Sequence, residues 1–586
     1  MIEPKRELRK KERWKKVVSL ARRYGKIEIL SMVAGAMSGA SAVALDTSIE
    51  IFRGFLEYLE SMYMLGPFDI GLILAPTLGG LISGLITWRF APEVKGHGIP
   101  NVLESFLHKE GIIKIRVPIA RIISSGALIG LGGSAGREGP IGQVGAGVGS
   151  FLAQIFKLPI RPRRMLLIAG LSAGISSAFD APLGGVLFGF EILMGAVHSI
   201  ELIPAFLASI SAVSVSWTLR GAKPVIVIPP QAFPSVPEII LILALGIIVA
   251  LMAKVWVEVL YKVEDKFNDL KIPEWVKPAL GGLGTGLIAY WSLGWGILGP
   301  GFDGLNKILA GEGVLGFLIL LAGIKLIATS LSIGSGGSGG IFTPTLYMGA
   351  AVGAAFGQLL HFAYPSIFPR PELFAIAGMA AHFSAAARAP LTAVVLTTEL
   401  GRNYALIPAL LASCATSYFL SLFLMENTMY TRELEEKGEK VPVLGLGVLD
   451  RIKVKDVMIN NVVTVKPEDT LQDIHELMLH AHHMGFPVVD ERGDLIGMIT
   501  FSELMKVHKR LWPKVKVKDV MSKSLIKISP EDTVHRAVEL MLKCGVGRLP
   551  VVEDGKLVGI LTKTDVIKAY EKAVLMKDLD EAASIG

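Results

Sequence analysis

From about Lys26 to about Leu424 the chain is a succession of long apolar runs, whereas Arg451 to Gly586 mixes apolar and polar positions like an ordinary soluble sequence. The apolar runs fall roughly at 27–45, 68–90, 112–135, 163–195, 200–219, 236–262, 277–299, 313–333, 340–364, 372–400 and 404–425. About 20 apolar helical residues cross a bilayer. Several runs are too long for one perpendicular span, or are cut by glycine as in GLGGSAG and GSGGSGG. The pattern predicts helices that tilt, stop midway and restart. In the soluble part it predicts strands around two amphipathic helices, Leu471–Leu479 and Val534–Leu542.

Composition changes this picture little. The 51% hydrophobic and 19% charged residues average over two unlike parts, and the membrane class rests on the first alone. The net charge of +7 is concentrated in MIEPKRELRKKERWKKVVSLARRYGK. A nucleic-acid arm is one reading of that run. Because apolar sequence follows directly, a cytoplasmic flank under the positive-inside bias is preferred, and no nucleic-acid partner is expected. The run lacks the order of a signal peptide. Cys414 and Cys544 lie in different parts, which supports neither a disulfide framework nor a thiolate metal site.

Two internal repeats organise the chain. ISSAFDAPLGGVLFGFE (Ile175–Glu191) and FSAAARAPLTAVVLTTE (Phe383–Glu399) share Ala-Pro-Leu and, at the same spacing, a glutamate. Duplicated membrane halves with Gly/Pro-broken segments at matching positions point to a binding site at the repeat interface. Whether the halves are inverted is not legible. In the tail, Lys455-Asp456-Val457-Met458 recurs as Lys518-Asp519-Val520-Met521, and Phe486-Pro487-Val488-Val489 as Leu549-Pro550-Val551-Val552. The unit reads strand–helix–strand–strand–helix with a period of just over sixty residues. Expected boundaries are a basic segment 1–26, a membrane domain 27–430 (repeats 27–225 and 236–430), a linker 431–450, soluble units 451–509 and 514–573, and a tail 574–586.

The chemistry gathers at Gly136-Arg137-Glu138-Gly139-Pro140 and Gly339-Gly340-Ile341-Phe342-Thr343-Pro344, one in each half. Both break a helical pattern and expose backbone N–H groups at a new helix start, which suits a small anion. Glu138 is an ionisable group inside apolar sequence and therefore a functional candidate. Ionised, it fills an electropositive pocket like a tethered anion. Protonated, it loses that attraction and swings away. A permanent Glu138–Arg137 pair is the structural alternative.

These residues, with Gly96-His97-Gly98-Ile99-Pro100 and Tyr430, resemble the CLC family of chloride channels and chloride/proton exchangers, and the tail resembles a pair of CBS domains. The resemblance implies a mainly α membrane protein. Its fold is a two-repeat bundle of tilted and broken helices, followed by an α/β CBS pair. It also implies a homodimer in the lipid bilayer of the plasma membrane, with the N-terminus and CBS domains cytoplasmic and a chloride pathway in each subunit. By resemblance, the N–H groups of Ile341 and Phe342 (with Thr343 in the same motif) and the Tyr430 hydroxyl hold the central anion. N–H groups around Arg137–Gly139 hold an outer one, and Glu138 is the gate.

The sequence departs from the family twice. His97 stands where a serine hydroxyl usually faces the anion. As imidazolium it would attract the anion and favour transport at acid pH; as neutral imidazole it would be tied to backbone. Ile192 stands where exchangers carry an internal proton-relay glutamate, and an alkyl side chain cannot pass a proton. That favours channel-like conduction, with exchange through Glu191 or His97 as the alternative. In the CBS pair, Thr562 and Asp565 match ribose-binding positions, and Thr464, His483 and Met484 the base and phosphate side, of an adenine nucleotide (ATP, ADP or AMP). A purely structural, dimerising module is the alternative. The choice among chloride, bromide and nitrate stays open.

Rival classes are weaker. Gly170-Leu171-Ser172-Ala173-Gly174 fits a serine-nucleophile pattern, but the same pattern recurs at Gly132–Gly136 and Gly336–Gly340, so it reports small-residue composition. An intramembrane serine protease is the remote alternative, and no enzyme is expected. His480, His482 and His483 lack further zinc-spaced ligands, and there is no phosphate-binding G-x-x-x-x-G-K-[ST] loop.

Overall fold

A computed structural model describes residues 3–62, 64–65, 68–195, 202–222, 224–290, 294–438, 452–481 and 483–569, with side chains from residue 25 onward apart from 59–69. His482, most of the expected linker (439–450) and the expected tail 574–586 lie outside these residues, as do the side chains of most of the basic segment. The chain divides into two compact units, Met1–Val441 and Pro442–Gly586.

The first unit is two sets of eight helices among the described residues. The first set is α1 Glu3–Met62, α2 Gly71–Arg89, α3 Ile99–Leu107, α4 Arg116–Gly130, α5 Glu138–Ile155, α6 Ile160–Phe179, α7 Pro182–Leu193 and α8 Leu202–Arg220. The second is α9 Val236–Asp269, α10 Lys277–Ala289, α11 Phe302–Leu309, α12 Leu315–Gly334, α13 Phe342–Ala363, α14 Pro371–Ala387, α15 Pro390–Gly401 and α16 Ile407–Leu424, and a short α17, Arg432–Glu436, follows. A small hairpin, β1 (Met64–Leu65) with β2 (Phe68–Asp69), joins α1 to α2. Seven of the helices are long and apolar enough to cross a membrane.

One expected boundary is crossed by a helix, and the expected stop and restart of the over-long runs is present. α1 runs unbroken through the expected boundary at residue 26, because no proline interrupts it between Lys5 and Met62. The runs 163–195 and 372–400 each split in two. Asp180 (φ 56°) and Arg388 (φ 54°) close α6 and α14 in the left-handed conformation, and Ala-Pro then starts α7 and α15.

The repeated glutamates explain themselves at these starts. Glu191, near the end of α7, accepts from the amides of Leu391 (3.0 Å) and Thr392 (2.7 Å) and from the Thr392 hydroxyl (2.6 Å). Glu399, near the end of α15, accepts from the amides of Leu183 (3.0 Å) and Gly184 (2.6 Å). Each carboxylate caps the other half's helix, so α7 and α15 lie antiparallel and this pair of the repeat is inverted. Glu191→Ala and Glu399→Ala should each lower stability by about 1–3 kcal/mol, the former more because it also frees Thr392. Thermal unfolding of the purified protein measures this. The two halves also pack alike. A Cβ on Gly145 would strike the Gly170 carbonyl and one on Gly170 the Gly145 carbonyl, and Gly349 and Gly378 stand in the same relation.

The second unit holds two hairpins, β3 Gly485–Val489 with β4 Leu495–Thr500 and β5 Arg548–Glu553 with β6 Lys556–Thr562. Helices α18 Leu471–Ala481 and α21 Val534–Lys543 precede them, and the short α19 Phe501–Leu504 and α20 Val517–Val520 lie between. The expected first strand of each unit is reduced to a single parallel bridge, Val465 to Val488 and Ile528 to Val551.

The Lys-Asp-Val-Met segments are exchanged between the units. Val454 lies in the second core, Met458 lies over Gly559 and Ile459 bridges to Ile560; Val517 lies in the first core and Met521 lies over Gly497. Flanking charges follow the exchange: Glu531 pairs with Lys453 and Lys455, and Glu468 with Lys516 and Lys518.

The two lysines hold the Glu531 carboxyl down at about 2, against an ordinary 4.5. Its stabilising effect is therefore complete above about pH 4.5 and is lost as pH falls through about 2. Unfolding of the tail followed from pH 5 to pH 2 should show this loss, and Glu531→Gln should flatten its share of it.

Candidate anion site

Three helix starts meet inside the first unit. Gly98 precedes α3, Arg137 precedes α5 and Ile341 precedes α13. Gly136 and Gly340 exchange two backbone hydrogen bonds, 2.7 and 2.6 Å, as an antiparallel bridge, and the Gly339 amide donates to the Gly96 carbonyl at 3.3 Å. The three loops singled out in the sequence thus form one cluster. Only glycine permits it: a Cβ on Gly139 would strike the His97 carbonyl, and one on Gly340 would lie 2.7 Å from the Gly136 carbonyl oxygen. The amides of a first helical turn have no partner within the helix, so the cluster presents N–H dipoles from two halves of the chain to one place.

Aromatic rings wall this place. Phe342 lies 4.1 Å from Phe383, 4.9 Å from Phe179 and 5.7 Å from Phe188 between ring centroids. Tyr430 lies 6.1 Å from Phe188 and 5.6 Å from His97, and is buried rather than interfacial. The preceding Met429 fixes it: its amide donates to the Ala386 carbonyl (2.9 Å), and its carbonyl accepts from the Tyr261 hydroxyl (3.0 Å).

Glu138 is fully buried at the first position of α5, over Gly136 and beside Thr343. The Thr343 hydroxyl and amide face its carboxylate without reaching full hydrogen-bond geometry, and no cation pairs with it. A buried carboxylate so weakly held is costly in a purely structural role. Arg137 does not satisfy it. Its guanidinium turns to Asp46 on α1 and to the Ala178 carbonyl (3.0 Å). Asp46 also binds Arg220 (2.9 Å), which binds Asp180 (2.8 Å), so four charges close on themselves. What Arg137 offers the site is backbone.

His97 is buried with both ring nitrogens unpartnered, so it is not tied to backbone. Ile192 sits in the last turn of α7, packed against the apolar core, and its neighbour Glu191 is occupied capping α15. Three buried cations escaped the sequence reading, Arg121 on α4, Lys277 on α10 and Lys325 on α12. The available signal was a lone charge inside an apolar run. Ser172 is buried on α6 facing Gly189, and His382 spends Nδ1 on the Thr345 carbonyl at 2.7 Å.

In the tail, Thr464, His483 and Met484 are exposed. Asp565 accepts through Oδ2 from the amide (2.9 Å) and hydroxyl (2.6 Å) of Thr562, capping the helix at 563–569. Thr500 and Glu503 repeat this arrangement in the first unit.

The sequence matches the family described as "Voltage gated chloride channel" over residues 79–422, and "CBS domain" over 454–510 and 517–572. It is 30% identical over 423 residues to a putative chloride channel protein ClcB-like of Ralstonia nicotianae, covering 69% of this chain and 96% of that one. It is 31% identical over 417 residues to the H(+)/Cl(-) exchange transporter ClcA of Yersinia pestis bv. Antiqua, covering 69% and 86%. Among solved structures, a slow cyanobacterial Cl-/H+ antiporter superposes with a TM-score of 0.65 at 27% identity, over 70% of this chain and 97% of that one. A eukaryotic CLC transporter shares the fold over 93% of this chain at 21% identity, with a TM-score of 0.62.

Proposed function

Since the chain belongs to the voltage gated chloride channel (CLC) family of anion transport proteins and carries a CBS domain pair, we propose that it moves chloride across a membrane with protonation of Glu138 as the gate. The observation that carries this is the buried Glu138 carboxylate, unpaired with any cation and facing the Thr343 amide and hydroxyl, at a helix start joined by backbone to the start of α13. Chloride is large and costly to dehydrate. Amides of Ile341, Phe342 and Gly139 and the Tyr430 hydroxyl replace its water without a full opposing charge, so it can leave again. The ionised carboxylate takes the same seat, and a proton removes it.

Conduction is proposed to be channel-like, because no free acid stands at Ile192 and Glu191 is committed to its cap. Obligatory exchange for protons is the second reading. It is favoured by the names of the relatives and by His97, whose bare ring nitrogens could take up a proton beside the anion. Purified protein in liposomes under a chloride gradient, with chloride and proton fluxes followed together, decides between them. Chloride efflux without uphill proton movement is expected, and uphill proton movement overturns the channel reading.

The protein is further proposed to act as a homodimer in the plasma membrane, its basic N-terminus and CBS domains cytoplasmic as the positive-inside bias favours. An adenine nucleotide is proposed to bind the tail through Thr562, Asp565, Thr464, His483 and Met484. Asp565→Asn keeps the cap and should weaken ATP or AMP binding in a titration; unchanged binding removes Asp565 from the site.

A further inference from the structure

Resting on that reading of the site, we propose that α9 sets the anion seat through two buried side chains. Trp256, acting through the Thr345 hydroxyl, orients and polarises the Phe342 amide. Tyr261, acting through Met429, holds Tyr430. Each works through another residue, so both are positioning residues.

The first set of contacts is a line of dipoles. Trp256 is fully buried, and its indole Nε1–H, a donor only, donates to the Thr345 hydroxyl oxygen at 3.1 Å. The Thr345 hydroxyl donates in turn to the Ile341 carbonyl at 2.7 Å, and the Thr345 amide donates to the same oxygen at 3.1 Å. The Met429 sulfur, 3.6 Å from that hydroxyl, is the weaker acceptor and leaves the proton on the carbonyl side. The Ile341 carbonyl and the Phe342 N–H belong to one planar peptide group, so fixing the oxygen fixes where the N–H points. Phe342 is the first residue of α13, where an amide has no partner within its own helix. Two donors on the carbonyl polarise that peptide group, and the indole strengthens one of them by polarising the hydroxyl. A threonine that bonds the carbonyl four residues back is common in helices. Here the carbonyl belongs to the residue before the helix, and a different helix supplies the donor that locks the hydroxyl. His382 Nδ1 lies 2.7 Å from the Thr345 carbonyl, so Thr345 is tied through its backbone as well.

The second set pins Tyr430. The Tyr261 hydroxyl donates to the Met429 carbonyl at 3.0 Å, and the Arg432 guanidinium lies 5.0 Å from the centre of the Tyr261 ring. Tyr261 thus holds the chain on both sides of Tyr430, whose own amide donates to the Thr428 hydroxyl at 3.2 Å. Met429 joins the two sets, because its sulfur touches Thr345 and its carbonyl takes the Tyr261 hydroxyl. Amides and hydroxyls attract an anion only as well as they point at it, so the strength of this seat depends on what aims them.

The test uses full-length protein, with chloride binding measured by titration calorimetry and flux in liposomes measured at stepped chloride concentration. The variants are Thr345→Val, Thr345→Ser, Trp256→Phe, Tyr261→Phe and the Thr345→Val/Trp256→Phe double variant. Thr345→Val keeps the shape and removes the hydroxyl. It should bind chloride about tenfold more weakly and raise the half-saturating concentration by the same factor, while flux at saturating chloride does not fall. Thr345→Ser restores the hydroxyl and should stay within about threefold of wild type. Trp256→Phe and Tyr261→Phe should each weaken binding about threefold. Because Trp256 acts through Thr345, the double variant should bind no more weakly than Thr345→Val alone. Unchanged affinity in Thr345→Val overturns the proposal. So do an equal loss in Thr345→Ser and single losses that multiply in the double variant, either of which would mark packing alone. If Trp256→Phe does not fold, the contrast between Thr345→Val and Thr345→Ser carries the test. The wild type separates the proposal from its premise. Chloride bound equally by wild type and Thr345→Val sinks only the proposal, whereas a wild type that binds no chloride sinks the anion site itself.

Discussion

Glu138→Gln should conduct chloride at an undiminished, pH-independent rate across roughly pH 5 to 8, where the wild type should slow as pH rises. The argument is one of occupancy. Glu138 is buried over Gly136 and faces the Thr343 amide and hydroxyl at the start of α13, so an ionised carboxylate competes with chloride for the same amides. If only the protonated form lets chloride through, flux falls up to about tenfold for each unit of pH above the group's titration. Glutamine keeps the shape and removes both the charge and the titration. Flux assays at stepped pH, with fluorescence or electrode readout of chloride, measure the effect. A Gln variant that keeps the wild-type slope would remove Glu138 from the gate.

Gly340→Ala should abolish flux, by about a hundredfold or more, because sub-ångström placement of the two helix starts sets the site. The added Cβ would lie 2.7 Å from the Gly136 oxygen, 3.0 Å from the Gly139 nitrogen and 3.1 Å from the Gly136 carbonyl carbon. All three are backbone atoms and none can rotate away. The double hydrogen bond between Gly136 and Gly340 must open, and the amide cluster opens with it. Gly136→Ala behaves differently. Its Cβ meets the end of a side chain, the Glu138 carboxylate, which can leave. That variant should keep flux and lose pH dependence, as Glu138→Gln does. Parallel flux assays on the folded variants read the contrast, and equal loss of flux in both glycine variants would contradict it.

How much of this was legible in the sequence depends on what each feature needed. The duplicated Ala-Pro-Leu with its glutamate was legible because a cap requires a particular residue at a fixed distance. That the caps are reciprocal, and the pair therefore antiparallel, was not, because identical motifs carry no direction. The match of α5 with α13 and of α6 with α14 was hidden, since close packing asks only for small residues such as Gly145 and Gly349.

Gly136-Arg137-Glu138 and Gly339-Gly340-Ile341-Phe342 could be read as helix starts from glycine and proline alone, yet their bridge through Gly136 and Gly340 is a tertiary contact with no local signature. A permanent pair between the Arg137 guanidinium and Glu138 was the open structural alternative because the two adjoin in sequence. Asp46 on α1 draws the guanidinium away. Lys325 and Arg121 were visible as lone charges in apolar runs but had no motif to mark them. In the tail the repeat was plain, while the exchange of its Lys-Asp-Val-Met segments was not, because two copies of one segment fit either core.

The most direct measurement is anomalous diffraction from crystals of wild-type and Glu138→Gln protein grown in bromide. The account predicts bromide density in contact with the Ile341 and Phe342 amides and the Tyr430 hydroxyl in both, with a second peak where the Glu138 carboxylate lies only in the Gln variant. Bromide absent from these amides in both crystals, or an occupied carboxylate seat with Glu138 still in it, would contradict it.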